Sequence, residues 1–306
     1  MPSRLAVVSI LFFWLITSGV VLYRELRPRY FADSPPEVAI DLSDEATPTL
    51  PVQWDIFQGD KKVGSLTTRM THVPSDDTFR FISNCVNLKF DFQAQGQTLS
   101  VGVPSAEIIV RVTRDGRLRE QSMVGRMEVK LLDSVLAINA EMKGRVDGET
   151  MIRHCRLKCP PFISVDRQLD PIAVPDGQVL NPLMPVNRLK HVYPGRQWSI
   201  RAIDPLFDSL RLVLTEGIQE GVKFEQKSAL LGGELSSKSP LLLARVLDEQ
   251  EVIDRPAAVG GPVPCYVIEY RSEEAKAWTW VAVSDGRVMR QKAIQSGIEM
   301  RFERRD

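Results

Sequence analysis

Residue types that carry chemistry are few and widely spaced in this chain of 306 residues. It has three histidines, His72, His154 and His191, and contains neither a Gly-x-Ser-x-Gly nucleophile motif nor a His-Glu-x-x-His metal-binding helix. A catalytic triad needs only one histidine, but no neighbouring pattern indicates which of the three would serve. We therefore assign no catalytic residue, and an enzyme with a site around one of these histidines is one alternative.

The segment His154, Cys155 and Cys159 offers three soft metal ligands within six residues. Zinc sites normally need a fourth ligand and a knuckle-type spacing, whereas this segment alternates like a β-strand. We therefore expect neither a metal site nor a cofactor.

The four cysteines are Cys85, Cys155, Cys159 and Cys265, an even number that allows three disulfide pairings. If residues 151–159 are a strand, Cys155 and Cys159 lie about 13 Å apart, too far to pair with each other. Disulfides formed after export and buried free thiols both remain open.

The tryptophans are the candidate ligand-binding residues. Trp278 and Trp280 are two residues apart on a predicted strand, so both indoles project from one face. Amphipathic aromatic rings suit a binding groove that is apolar inside and wet at its rim. Trp54 and Trp198 are assigned to the same groove, with packing in the core as the alternative for all four.

Membrane attachment is predicted from residues 5–23, which follow a short tail over residues 1–4. These 19 residues carry no charge, and twelve of them are Leu, Ile, Val or Phe. A helix of this length spans about 29 Å, close to the hydrocarbon thickness of a bilayer. The run is longer than a typical signal peptide core and lacks an Ala-x-Ala site, so we favour an uncleaved single-pass helix, with cleavage near Ser18 or Gly19 as the alternative.

We expect most of the chain outside the cytoplasm. The positive charges on the two sides of the apolar run nearly balance, so this orientation rests on the lengths of the flanking segments and not on their charge. A short tail before one apolar helix and a large domain after it are typical of a signal anchor in the cell membrane. Residues 24–50 are rich in acidic residues and proline, which indicates an extended linker. The whole chain has 39 basic and 39 acidic residues. Because it has no excess positive charge, we expect no nucleic-acid partner.

Beyond the linker, apolar residues recur with a period of two, which predicts antiparallel strands with one buried face. Val86, Leu88, Phe90 and Phe92 form one such set, and others begin at Ile108, Leu210 and Ile298. Asp-Gly pairs at 115–116, 147–148, 176–177 and 285–286 predict tight turns. The segment 59–65 (GDKKVGS) lacks the lysine of a phosphate loop and predicts a hairpin turn between strands 52–58 and 61–71.

The predicted organisation is mainly β: curved antiparallel sheets of half-barrel type built from hairpin meanders, with one N-terminal transmembrane helix. We divide it into a first β module over residues 51–165 and a second over residues 188–306, or a single β domain over 51–306. A proline-rich connection over residues 166–187 joins the modules. Helical patterns are short, at Asp204–Ser209 and Lys227–Leu231.

Two segments resemble known proteins. Residues 54–59 (WDIFQG) followed by Val63 and Gly64 resemble the opening strand pair of bacterial envelope proteins of unknown function, and Cys265–Ala293 resembles their closing meander. That group is similar to the Lol-type lipoprotein-carrier half-barrels. The resemblance covers about a quarter of the chain and implies a curved sheet around a hydrophobic groove. This sequence departs from those carriers in its anchor and in lacking evident helices to plug the groove.

The expected function is therefore a membrane-anchored, non-catalytic envelope protein that binds a lipid or a hydrophobic segment. A scaffold that docks a protein partner of the envelope is the first alternative, and an enzyme is the second.

Overall fold

The structure is a computed structural model that describes residues 12–21, 51–94, 97–113, 117–131, 134–160, 163–174, 186–189, 191–201, 241–255, 260–272, 275–295 and 298–305. A helix, α1, covers residues 12–21. The fourteen strands in chain order are β1 (Val52–Gln58), β2 (Lys61–Val73), β3 (Thr78–Ala94), β4 (Gln97–Thr113), β5 (Leu118–Leu131), β6 (Ser134–Asp147), β7 (Thr150–Cys159), β8 (Ile163–Ala173), β9 (Gln197–Arg201), β10 (Leu241–Ile253), β11 (Val263–Arg271), β12 (Ala275–Ala282), β13 (Val288–Gln295) and β14 (Ile298–Arg304).

All fourteen strands belong to one antiparallel sheet made of two meanders. The first runs from β1 to β8 and the second from β9 to β14, and the two join where β1 pairs with β14. In that pair Trp54 lies opposite Arg304. In the part of the chain that the structure describes, β8 and β9 are the two edges and the sheet is not closed. The predicted mainly β, antiparallel meander is thus confirmed, while the division into modules stays a prediction.

Local turn chemistry determines several of the predicted hairpins. Gly59 follows β1 with φ at +58°, Gly148 joins β6 to β7 at +60°, and Gly286 lies between β12 and β13 at +73°. Glycine reaches these left-handed angles without the steric cost that a Cβ imposes. The hairpin prediction for residues 59–65 is confirmed, and the Asp-Gly pairs at 115–116 and 176–177 lie outside the described residues.

The sheet has an inner and an outer face. The inner face is the side that carries Trp54, Leu66, Met142 and Leu157, all buried in the core. On β7 the exposed and buried residues alternate without interruption from Thr150 to Cys159. An open sheet of this width curls or twists rather than staying flat, which helps to cover an apolar face.

One predicted alternation is wrong. Val86 and Leu88 were expected on one face of β3, but Val86 is exposed and Leu88 is buried on the inner face. Asn87, between them, has φ at +55°, a left-handed angle that asparagine tolerates better than most residues. The change of phase lets Cys85 and Leu88 both contact the core. The side chain of Phe92 lies outside the described residues.

A connecting segment, residues 186–189, closes over the end of the second meander. The Leu189 amide donates to the Gly286 carbonyl at 2.8 Å, and the Val288 amide donates to the Asn187 carbonyl at 3.0 Å. Leu189 is buried in the same core cluster as Trp54 and Trp198. This segment therefore seals the core at the β12–β13 turn.

Strand β8 extends into the range predicted as a proline-rich connection, since residues 166–173 are part of it. Pro171 lies where the β7–β8 register shifts, on a strand at the edge of the described sheet. Proline has no amide hydrogen to donate, so it is accommodated at such a position. The rest of the predicted connection up to residue 185, apart from Val174, lies outside the described residues.

The N-terminal predictions are only partly covered by the structure. Of the predicted anchor, α1 accounts for residues 12–21, while residues 5–11 and 22–23 lie outside the described residues. No described helix has the length and apolar character needed to span a bilayer. The tail 1–4, the linker 24–50 and both predicted helical patterns also lie outside the described residues, as does the alternation around Leu210.

Candidate functional site

The inner face of β3 to β8 is apolar and only half-buried. Half-buried side chains on this face pack against two buried clusters. Phe81 and Val110 pack against the cluster of Met70, Phe79 and Val112. The others pack against the core of Met142, Leu157 and their neighbours; they are Met123, Met127, Val129, Leu136 and Val165. Water-accessible apolar surface that lies together on one face is typical of sites for hydrophobic partners. This half-buried surface is the candidate site.

A row of small residues crosses the middle of the candidate site. Ala106, Gly125 and Ala140 lie opposite one another on β4, β5 and β6. Larger side chains flank the row, because Met123 and Met127 stand two residues before and after Gly125 on the same face. Small side chains therefore lie between larger ones along this row.

Two buried polar side chains lie at one end of the candidate site. Gln121 and Arg153 share a cross-strand row, with Gly144 between them. The Arg153 guanidinium is buried and donates to the Asp170 carbonyl at 2.6 Å, where the β8 register shifts. A Cβ on Gly144 would lie 2.6 Å from the Met151 sulfur, so a side chain there would displace Met151.

The four predicted ligand-binding tryptophans lie in two pairs on opposite faces. Trp54 and Trp198 are buried in the inner-face core, where Trp198 meets the Tyr270 ring edge-on at 6.1 Å. Trp278 and Trp280 share the outer face of β12, opposite to Ala277. The structure therefore brings no more than two of them together on one surface, and their role in ligand binding stays a prediction.

The outer-face tryptophans are covered by charged side chains. The Trp280 indole donates to the Glu251 carboxylate at 2.8 Å, and Arg290 lies over its ring at 5.6 Å. Lys292 lies 5.9 Å from the Trp278 ring centre and pairs with Glu299 at 2.8 Å. Arg290 also pairs with Glu303 at 2.9 Å, so each of the two cations has a carboxylate partner and this outer patch has little net charge.

The three histidines lie on different elements. His72 on β2 is 3.0 Å from the Asp77 carboxylate and stacks on Phe79. His154 on β7 faces outward, 3.0 Å from Asp166. His191 is in the connection before β9. Among the residues that the structure describes, the three imidazoles therefore do not form one cluster.

The four cysteines are free thiols in the structure. Cys155 and Cys159 point into the core while His154 points away from it, so the predicted soft-ligand segment is split between two faces. Burial raises the pKa of the Cys85 and Cys265 thiols to about 11. Among the described residues, no group of three or more His, Cys, Asp or Glu side chains is placed to hold a metal ion.

Sequence reasoning missed the half-buried residues of the candidate site. A signal was present, because Met123, Met127 and Val129 alternate with Ser122, Arg126 and Glu128 along β5. The pattern predicts a strand with an apolar face, but it does not tell whether that face is fully covered.

Comparison with known proteins gives no family for the chain. No protein-family profile and no curated protein matches it. Among solved structures it is similar to the β-barrel-like protein of domain of unknown function DUF1849 from Brucella abortus, with 11% identity and a TM-score of 0.38, covering 85% of this chain and 98% of that chain. A superposition this loose carries no conclusion about what the chain binds, and the mainly β architecture rests on its own strand register.

Proposed function

We propose that this chain is a non-catalytic, membrane-anchored binding protein of the cell envelope, and that its inner sheet face holds the acyl chain of a lipid. The proposal includes a curved half-barrel sheet of the Lol type. A hydrophobic segment of another protein is the competing occupant, and the experiment below distinguishes the two.

One observation carries the proposal: the inner face from β3 to β8 has apolar side chains that stay half-buried. Met123, Met127 and Val129 contact the core but are not fully covered by the described residues. Moving such surface from water into contact with an acyl chain is favourable by about 25 cal/mol for each Å² buried. The row of Ala106, Gly125 and Ala140 supports a channel across the strands, along which an extended chain could lie.

The N-terminal residues support a location at the membrane. On α1 the side chains of Phe12, Phe13, Trp14 and Leu15 are all exposed. Exposing apolar side chains to water is unfavourable in free energy, whereas exposing them to lipid is not. With the rest of the uncharged run 5–23, this helix is proposed as the anchor, and the β domain is proposed to face away from the cytoplasm.

The test is photocrosslinking of a fatty acid to the full-length chain in lipid nanodiscs, with the adducts mapped by mass spectrometry. We expect adducts on the inner-face residues of β5 to β8. Adducts confined to α1 and its flanking residues would contradict acyl binding by the sheet. If the fatty acid forms no adducts on the sheet, and a protein is instead crosslinked to the same inner-face residues, the competing occupant is supported. That occupant is a hydrophobic segment of another protein.

A matched pair of variants identifies the face. Val129→Lys places a charge on the half-buried inner face, whereas Val124→Lys places it on the exposed outer face of the same strand. A lysine at residue 129 can extend its charge to solvent, so the chain should still fold. We expect Val129→Lys to lower sheet adducts severalfold and Val124→Lys to leave them unchanged, and equal loss in both would overturn the assignment.

A further inference from the structure

Two arginines face each other at the turn that follows β12. Arg188 lies directly opposite Arg287 in an isolated antiparallel bridge. The two backbone hydrogen bonds of this bridge, 2.8 Å and 3.0 Å long, join the residues that flank the arginines rather than the arginines themselves. In such a non-hydrogen-bonded pair the Cα atoms are only about 4.5 Å apart, so the side chains leave the backbone close together and on the same side. The bridge therefore places two permanently charged guanidinium groups next to each other.

The absence of a side chain at Gly286 makes this close approach possible. Its φ is +73°, and a Cβ at this position would clash with the Leu189 carbonyl oxygen. The Arg188 Cγ lies 3.5 Å from the same Cβ position, so the stem of Arg188 crosses the turn at Gly286. Arg287 Nε donates to the Asp285 carboxylate at 2.6 Å. Two arginines and one aspartate thus surround a single glycine.

The charges of this group do not balance. Asp285 pairs with Arg287, whereas Arg188 makes no ion pair with any residue that the structure describes. Two arginines and one aspartate leave a net charge of +1. Like charges directly opposite each other destabilise a strand pairing. The arrangement is therefore unfavourable in the unliganded chain, and one singly charged anion would balance it.

We propose that Arg188 and Arg287 bind the phosphodiester group of an anionic phospholipid headgroup. A phosphodiester carries one negative charge, which equals the excess positive charge of the group. Its oxygens also match the paired N–H donors that a planar guanidinium presents.

The place of the pair in the sheet favours a membrane lipid as the source of the phosphate. Asn187, next to Arg188, accepts a hydrogen bond from Thr68, and Thr68 lies opposite Val52 at the start of β1. The chain enters the sheet at this end, after the apolar run 5–23 and the linker that follows it. The inference thus rests on the proposed membrane anchor, and it places this end of the sheet against the headgroups.

The experiment compares the full-length chain in nanodiscs of phosphatidylcholine alone and in nanodiscs that also contain phosphatidylglycerol. Hydrogen exchange is followed in peptides that cover residues 186–189 and 283–288. We expect exchange in both segments to slow severalfold when phosphatidylglycerol is present. Equal exchange in the two kinds of disc would overturn the proposal. Equal slowing by inorganic phosphate added to phosphatidylcholine discs would contradict a lipid as the source.

Arg188→Gln is the test variant, and Arg126→Gln is its control. Arg126 is an exposed arginine on β5 that pairs with Glu128 at 3.0 Å. We expect Arg188→Gln to remove most of the slowing by phosphatidylglycerol, and Arg126→Gln to retain it. The thermal unfolding midpoint of Arg188→Gln in phosphatidylcholine discs should be unchanged or higher, because the substitution relieves a repulsion. A lower midpoint would show that the arginine has a structural role and would contradict the inference.

The outcomes separate this inference from the proposed function. Fatty-acid adducts on the inner sheet face should be the same in Arg188→Gln as in the unmodified chain. A chain that does not enter nanodiscs would contradict the anchor, and soluble dihexanoyl phosphatidylglycerol and phosphatidylcholine then provide the same comparison of headgroups. Slowing by neither soluble lipid would overturn the headgroup site as well.

Discussion

The Trp54 indole donates a hydrogen bond of 3.0 Å to the Thr68 hydroxyl, with both side chains buried between β1 and β2. Thr68 in turn donates to the Asn187 side-chain oxygen at 2.7 Å. The Asn187 carbonyl also accepts a bond from Arg304 at 3.1 Å. A single threonine thus connects the largest buried side chain of the first hairpin to the segment that seals the second meander.

Thr68→Val tests this connection. Valine has nearly the same shape but cannot accept from the indole or donate to Asn187, so two polar groups lose a partner. We expect the free energy of unfolding to fall by about 2 kcal/mol, measured by denaturant titration. Thr67→Val changes the neighbouring residue, which lies on the outer face of β2, and should change stability by less than about 0.5 kcal/mol. Equal effects would show that the hydrogen bonds are not the cause.

Gly64→Ala tests the close approach of β2 and β3. A Cβ at residue 64 would lie 3.0 Å from the Leu88 Cα and 3.2 Å from the Asn87 carbonyl oxygen, both of which are backbone atoms. We expect the free energy of unfolding to fall by about 2 kcal/mol because the strands must shift.

Gly102→Ala is the control for this substitution. The nearest atom to its new Cβ, the Glu128 carbonyl oxygen, is 3.7 Å away, an ordinary contact. This variant should be neutral or slightly stabilising, since alanine lowers the entropy of the unfolded chain. If both glycine variants lose the same stability, crowding at Leu88 is not the reason.

Asp55 makes stability depend on pH. Burial alone would raise the pKa of Asp55, but hydrogen bonds from Arg305 and Lys62 outweigh burial and lower it. A carboxyl group with a lowered pKa stabilises the fold above its unfolded pKa, near 4, and this contribution disappears as pH falls through the folded pKa.

The corresponding experiment compares Asp55→Asn with the unmodified chain. The variant should be less stable by about 1 kcal/mol at pH 7 and equally stable near pH 2. Asp60→Asn is the control: its carboxylate is fully exposed and lies 3.8 Å from Arg301, so the substitution should change stability at pH 7 by less than about 0.5 kcal/mol. A constant difference between pH 7 and pH 2 for Asp55→Asn would contradict the ion-pair explanation.

The thiols should be unreactive in the folded chain. Because burial raises the pKa of the Cys85 and Cys265 thiols to about 11, only a small fraction of each is thiolate at pH 8. We expect slow labelling by iodoacetamide in native buffer and rapid labelling of four thiols in denaturant without reductant. Fewer than four labelled thiols would mean that disulfides form, the alternative that the sequence leaves open.

The sequence by itself determined the features that depend on neighbouring residues. The strands predicted at 52–58 and 61–71 and the turns at Gly148 and Gly286 follow from alternation and from the angles that glycine permits, because both are properties of a few adjacent residues. That Trp278 and Trp280 share a face follows in the same way from their spacing.

Only the tertiary structure decided which strands meet and which faces are buried. The pairing of β1 with β14 joins residues about 250 positions apart, and no local pattern encodes it. Several features depend on partners contributed by distant strands. Trp54 faces the inner core and Trp278 the outer face of the sheet. The alternation changes phase at Asn87, and Pro171 lies within β8. Burial is a property of the assembled sheet, so alternation along one strand predicts that a face is apolar but not how much of it the rest of the chain covers.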